Sequence, residues 1–263
     1  MRVETNTPLI KRNRRNANYL FFFSIAVLVA GFLLANLQLT ATDETGLALA
    51  VFLPWLILPV GFIATLASVR MTNLWLRRPR PETVIQEGLK GISNKSVLYH
   101  YYHFPARHVL IAPQGVFAMI TRFQEGRFSV EGDKWQTAGG PFGRVMRFLR
   151  RDDIRNPSEE ARLAAEHVKK LIGATLPDVE VQPLVIFVDP RAQLNITNPT
   201  VPVLFADDNK EPNLRDYMRD IAAQMQQDKQ PQTQPKKKGE KEKPKSGASV
   251  EAIAEALEAA TIL

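Results

Sequence analysis

The chain has 263 residues, a formal net charge of +7 and no cysteine. The missing thiols exclude disulfides, thiolate catalysis and cysteine-based zinc sites, in agreement with a reducing compartment. The positive charge is a weak pointer to nucleic acid: residues 1–15 carry five basic side chains against one acidic one, more than half of the excess. Anionic lipid is the natural counterpart of such a terminus.

No charged side chain occurs in residues 16–42, and after Asp43 and Glu44 none occurs again until Arg70. A hydrocarbon core of about 30 Å needs about 20 apolar residues as helix, and residues 19–39 and 47–69 both meet that length. Lys11, Arg12, Arg14 and Arg15 precede the first span, and Arg70, Arg77, Arg78 and Arg80 follow the second. The pattern predicts a two-pass hairpin in the cell membrane with both termini cytoplasmic and residues 1–18 as a basic cytoplasmic N-terminus. Reading the first span as a cleaved signal peptide is disfavoured by an apolar run longer than the roughly 7 to 15 residues of such segments. Pro54 and Pro59 are expected to bend the second helix. Neither span holds an acid, a base or a histidine, so the pair reads as an anchor without an ion path.

Residues 80–228 have the length of one soluble domain. Val84, Ile85 and Leu89 recur at helical spacing, and residues 96–104 are aromatic and β-prone. Strands are predicted at 109–112 and 116–123, broken by Pro113, Gln114 and Gly115 in a hairpin pattern. Glu125 and Gly126 then turn into a strand at 127–130, with Trp135 as a lid on the sheet. Asn156, Pro157 and Glu159 supply a cap, a first-turn proline and an acid at the positive end of a helix dipole. The helix should run to Ile172 on an apolar face of Ala161, Ala164, Val168, Leu171 and Ile172, with Gly173 as its stop. Strands at 184–188 and 201–205 and an amphipathic helix at 214–225 follow. The order predicts an α/β fold, a mixed sheet flanked by helices. Residues 229–248, rich in Lys, Pro and Gln, read as a flexible linker. Residues 249–263 read as a short Ser-capped helix with Val250, Ile253, Ala254, Leu257 and Ile262 near one side. It either docks onto the domain, a partner or the membrane, or frays.

The run Arg107, His108, Val109, Leu110, Ile111, Ala112, Pro113, Gln114, Gly115, Val116, Phe117, Ala118, Met119, Ile120, Thr121 and Arg122, with Trp135 downstream, resembles the nuclease-related domain family called NERD. Asn156 and Pro157 opening a helix and the strand at 184–188 are similar too, so the resemblance covers roughly residues 80–220. Bacterial members with an N-terminal membrane hairpin share this layout. The resemblance implies a restriction-endonuclease-like fold and metal-dependent phosphodiester cleavage. Such cleavage needs carboxylates on adjacent strands to hold a hard cation beside the phosphate, and a nearby lysine to stabilise developing charge. The family's aspartate, glutamate and lysine positions are occupied here by Arg107, Ile120 and Arg122. A guanidinium and a hydrocarbon cannot ligate magnesium, so no metal and no cofactor are expected.

Other residues could replace the missing ligands. Glu82, Glu87, Glu125 and His108 are the candidates for displaced ligands of an active nuclease. His100 and His103 would face opposite sides of an extended strand, so a metal shared by them needs a bend. Gly139, Gly140 and Gly143 form no phosphate-loop pattern. Arg144, Arg147 and Arg151 share one face if helical, flanked by Arg150, Arg155, Phe142 and Phe148. That stripe suits phosphates of nucleic acid or lipid, or is a solvated face neutralised by Asp152 and Asp153. The resulting expectation is a catalytically inactive, membrane-anchored binding or scaffolding domain. Arg107, Arg122, Arg144, Arg147 and Arg151 are its binding residues, and the lipid bilayer and either nucleic acid or a cytoplasmic protein are its partners. The alternatives are an active nuclease with displaced ligands and a protein-interaction anchor that uses the tail helix.

Overall fold

In the computed structural model, residues 1–37, 44–138, 154–229 and 248–261 are described. The chain divides into two compact units. The described residues of one lie within Thr7–Arg78; the other joins Met1–Asn6 to Pro79–Gly139 and Ile154–Leu263.

The first of these is a helix pair, α1 (Thr7–Leu37) and α2 (Glu44–Trp75). Both helices are long and apolar enough to cross a membrane, and only 11% and 17% of their most apolar windows are buried. A core helix of a soluble protein would be mostly covered; here Phe22, Phe32, Trp55 and Phe62 are exposed. The contact between the helices is made by small residues, as expected where no hydrophobic gain separates helix from lipid. Ala17, Ser24, Ala64 and Ser68 are buried. A Cβ on Gly31 would lie 3.2 Å from Ile57, and one on Gly61 3.3 Å from Val27. Ser24 and Thr65 donate to carbonyls of their own helices, Phe21 O at 2.8 Å and Gly61 O at 2.7 Å, which satisfies both hydroxyl protons in an apolar setting. Helix α2 continues through Pro54 and Pro59.

The other unit holds a six-stranded mixed sheet in the order β1-β2-β3-β4-β7-β9. The strands are β1 (Arg2–Thr5), β2 (Val97–His100), β3 (His108–Ala112), β4 (Gly115–Arg122), β7 (Val181–Phe187) and β9 (Val203–Phe205). Strands β2, β3 and β4 form an antiparallel meander, β4, β7 and β9 run parallel, and β1 adds in parallel to β2. A smaller sheet, β6-β5-β8, is built from β5 (Gly126–Glu131), β6 (Lys134–Thr137) and β8 (Ala192–Thr197). Side chains alternate across the large sheet with period two. Leu98, Leu110, Phe117, Met119, Leu184 and Ile186 share one cluster with Ile85, Leu89, Leu214 and Met218, which lie on or next to α3 (Pro81–Gly88) and on α5 (Leu214–Lys229). Val109, Ile111, Ala118, Ile120 and Val185 share the other with α4 (Pro157–Gly173), α6 (Val250–Thr261) and the small sheet.

Several predicted elements recur with shifted ends. The hairpin turn leaves Gly115 in β4 at φ +138°, a conformation that only glycine adopts without strain. Asn156 Oδ1 accepts from Glu159 N at 3.3 Å with Pro157 in the first turn. Trp135, expected as a lid, is a β6 residue that stacks on Phe187 and donates to Ser158 Oγ at 2.9 Å. The tail helix is docked: Ser249 Oγ caps Ala252 N at 3.1 Å, and Ile253, Ala254 and Leu257 enter the core. Three strands have no counterpart in the sequence reading: β1 within the basic N-terminus, β6 around Trp135, and β8.

Helix α3 approaches the carboxyl end of β9 so closely that a Cβ on Gly88 would lie 2.7 Å from Ala206 O. Backbone cannot yield as a side-chain tip does, so Gly88→Ala is expected to cost about 1–3 kcal/mol. Denaturant unfolding followed by Trp135 fluorescence checks this; an unchanged midpoint would contradict the contact. In the helix pair, Val27→Cys with Gly61→Cys should form an intramolecular disulfide on mild oxidation, the chain having no competing thiol. Exposed Phe22→Cys with Phe62→Cys should not.

Candidate functional site

Strand β4 ends at Arg122, and the parallel pairing with β7 places Phe187 beside it. Ile120, two residues earlier on the same face, is 6% exposed and belongs to the apolar cluster shared with α4 and α6. Arg107 immediately precedes β3, half-buried, and its carbonyl accepts from Tyr101 N at 2.6 Å. With His108 opposite Met119, the ladder brings Arg107 to the level of Ile120. The three residues that the resemblance singles out therefore gather at one end of the β3–β4 hairpin, around a hydrocarbon.

Arg122 is only 9% exposed. Its Nη2 binds Glu160 Oε2 at 2.9 Å on the first turn of α4, and its Nη1 donates to Thr121 O at 3.3 Å. Its Nε is buried without a partner. A guanidinium so enclosed needs compensating acceptors, and one donor still lacks one. Just beyond β7, Asp189 is buried and accepts from Arg191 N, Nε and Nη2 at 2.9, 3.1 and 2.9 Å. Arg191 also reaches Glu125 Oε2 at 2.6 Å. The charges at the carboxyl ends of β4 and β7 are thus engaged with one another.

The replacement ligands are dispersed. Glu82 on α3 accepts from the Tyr101 hydroxyl at 3.1 Å. Glu87 lines an open cleft of about 340 Å³ with Asp207 and Asp208. Asp208 in turn binds Arg215 at 2.5 Å, and Glu125 is held by Arg191. Among the described residues, no three His, Asp or Glu side chains come together in a way that could hold a metal ion. Arg144, Arg147 and Arg151 lie outside the described residues.

The histidines part company at a bend. Tyr101, at φ +64°, turns the chain out of β2. His100 meets His108 across the ladder, Nδ1 to Nδ1 at 2.7 Å, with both rings buried. One proton lies between these nitrogens, so one neutral ring donates and the other accepts. His103 instead lies against Tyr99 and bonds Thr261 Oγ1 at 3.1 Å. That hydroxyl already donates to Leu257 O at 2.7 Å, so His103 supplies the proton from Nδ1. Burial lowers the pKa values of His100 and His103 to about 4, His167 adding to the effect at His103 and Glu258 opposing it. Burial, then His100 and Arg107, hold His108 well below its ordinary value.

A further cluster has no signal in the sequence. Glu258 Oε1 on α6 accepts from the Tyr99 hydroxyl at 2.5 Å and from Arg2 Nη2 at 2.8 Å, joining β1, β2 and the tail helix. Burial and then the Glu258 hydrogen bond raise the Tyr99 pKa well above its usual range. Nothing in residues 1–5 or 249–263 taken separately marks these partners.

The histidines predict an acid-sensitive fold. Unfolded, each takes a proton near pH 6.5; folded, His100 and His103 resist until about pH 4 and His108 further. Stability is therefore full above pH 6.5 and declines as pH falls toward 4, by up to about 1.4 kcal/mol per pH unit for each histidine. Unfolding midpoints of the full chain between pH 7 and 5 should show this slope. His103→Gln should reduce it by about one proton's worth, and a flat profile would contradict the neutral assignment.

Compared with protein-family models, with curated proteins and with solved structures, the chain matches none of them.

Proposed function

We propose that the chain is a two-pass membrane protein that presents a NERD-like, restriction-endonuclease-like domain to the cytoplasm. We propose too that this domain binds or scaffolds a phosphate-bearing ligand without cleaving it. The observation that carries the reading is the filling of the family's catalytic positions. Ile120 is part of the apolar core and Arg122 is tied to Glu160, where a nuclease of that family needs a carboxylate and a lysine. A carboxylate at position 120 would be buried among hydrocarbon, at a cost of several kcal/mol.

The mixed sheet with helices on both faces supports the fold assignment. The two-pass topology draws support from β1, which sits in the same sheet as β2. Residues on either side of the helix pair must then lie on one side of any membrane, which an even number of crossings satisfies. The basic flanks favour the cytoplasmic side. The tail helix, docked on its own domain, gives less support to an anchor that recruits proteins through that helix.

Nucleic acid is the ligand to test. Arg107 and Arg122 donate to phosphate without a metal, and Glu160 competes for Arg122. Glu160→Gln should tighten single-stranded oligonucleotide binding severalfold. Arg107→Ala with Arg122→Ala should weaken it and flatten the slope of log K against log salt by about 0.7 per lost contact. Unchanged binding in both variants would remove the end of the β3–β4 hairpin from consideration. Cleavage with magnesium or manganese, abolished by changing Glu82, Glu87, Glu125 or His108, would overturn the inactive reading.

A further inference from the structure

The helix pair carries a charged patch that the binding reading does not use. Arg14 Nε on α1 donates to Trp75 O on α2 at 3.2 Å, which sets the N-terminal turns of α1 level with the C-terminal end of α2. That bond satisfies a carbonyl left open at a helix terminus and fixes the stagger of the helices. Around this level Lys11, Arg12, Arg15, Arg70 and Arg78 are all exposed. None has a carboxylate partner among the described residues. With a rise of about 1.5 Å per residue, Arg70 lies about 7.5 Å along α2 from Trp75, so the cations form a shallow band. On its far side the surface turns apolar at once: Phe21, Phe22 and Phe23 on α1 and Val69, Ile63 and Phe62 on α2 are exposed. Tyr19, 64% exposed, stands at the boundary, where aromatic residues with a polar tip favour a membrane interface.

We propose that this band is a docking collar for the headgroups of anionic phospholipids. The inference rests on the membrane-spanning reading of α1 and α2. Five exposed cations with no carboxylate partner among the described residues, gathered at one end of an apolar helix pair, match a phosphate layer in position and in sign. Each cation near an anionic surface contributes about 1 kcal/mol, or about a fivefold change in affinity. A zwitterionic headgroup places its own cation beside its phosphate and forfeits most of that attraction.

The test uses the full chain, purified in detergent and stripped of lipid, with binding followed by mass spectrometry of retained lipid and by thermal stabilisation. Phosphatidylglycerol should bind and stabilise, phosphatidylcholine should do neither, and the difference should shrink with salt. Arg12→Gln with Arg15→Gln should lower affinity for phosphatidylglycerol by about 25-fold, and Arg70→Gln with Arg78→Gln should act alike from the other helix. All four positions are exposed and leave the Arg14 bond in place. Equal binding of the two lipids, parent-like behaviour of both variants, or equal stabilisation by inorganic phosphate alone would overturn the proposal. Carbonate extraction separates the two readings. A chain stripped from membranes refutes the anchor and the collar together, whereas a retained chain that does not discriminate lipids refutes the collar alone.

Discussion

Strand β4 is buried on both faces and paired on both edges, antiparallel to β3 and parallel to β7. A strand in that position has no freedom of register, because a slip of one residue would send every side chain to the opposite layer. Phe117 and Met119 are therefore committed to the layer of α3 and α5. Ala118 and Ile120 are committed to the layer of α4 and α6. The chemistry open to the end of the hairpin follows from that commitment: the position beside Arg107 holds an isoleucine turned into a closed apolar layer.

Electrostatics completes the picture at the strand ends. Where a hydrolytic site would leave charges poised toward a substrate, Arg122 leans on Glu160 and the buried Asp189 holds Arg191, which also holds Glu125. Arg122 Nε stays buried without an acceptor, and its partner Glu160 is partly exposed, at 44% of its side chain. The carboxylate can regain hydration if it lets go, but the buried guanidinium cannot, so any exchange must supply another anion in its place. On the binding role proposed above, a phosphate is that anion, whereas a divalent cation would meet the guanidinium first. The neutral pair of His100 and His108 lies on the layer of α3 and α5 and shares its proton internally.

Much of the large sheet was legible because its signals are local. The Pro113–Gln114–Gly115 break between two apolar runs, the Asn156–Pro157 helix start and the Ser249 cap each depend on residues within one turn of each other. Strand β1 was hidden because Arg2 and Glu4 read as a charged terminus; its pairing with β2 depends on residues about 95 positions away. Strand β8 was hidden by Gln193 and Asn195, polar residues on a face open to solvent. Strand β6 follows a tight Gly132 turn, and its exposed Lys134 and Gln136 left Trp135 looking isolated. At the site, the identity of the replaced positions was visible, but the Arg122–Glu160 and Tyr99–Glu258 contacts join elements far apart in the chain. No spacing rule announces them.

The central claim concerns what the end of the β3–β4 hairpin can hold. Calorimetric titration of manganese into the full chain asks this most directly, since manganese takes the same oxygen ligands as magnesium and requires no assumption about a substrate. The account predicts no saturable site at millimolar metal. A site that saturates at micromolar manganese and is lost on changing Glu82, Glu87, Glu125 or His108 would contradict it.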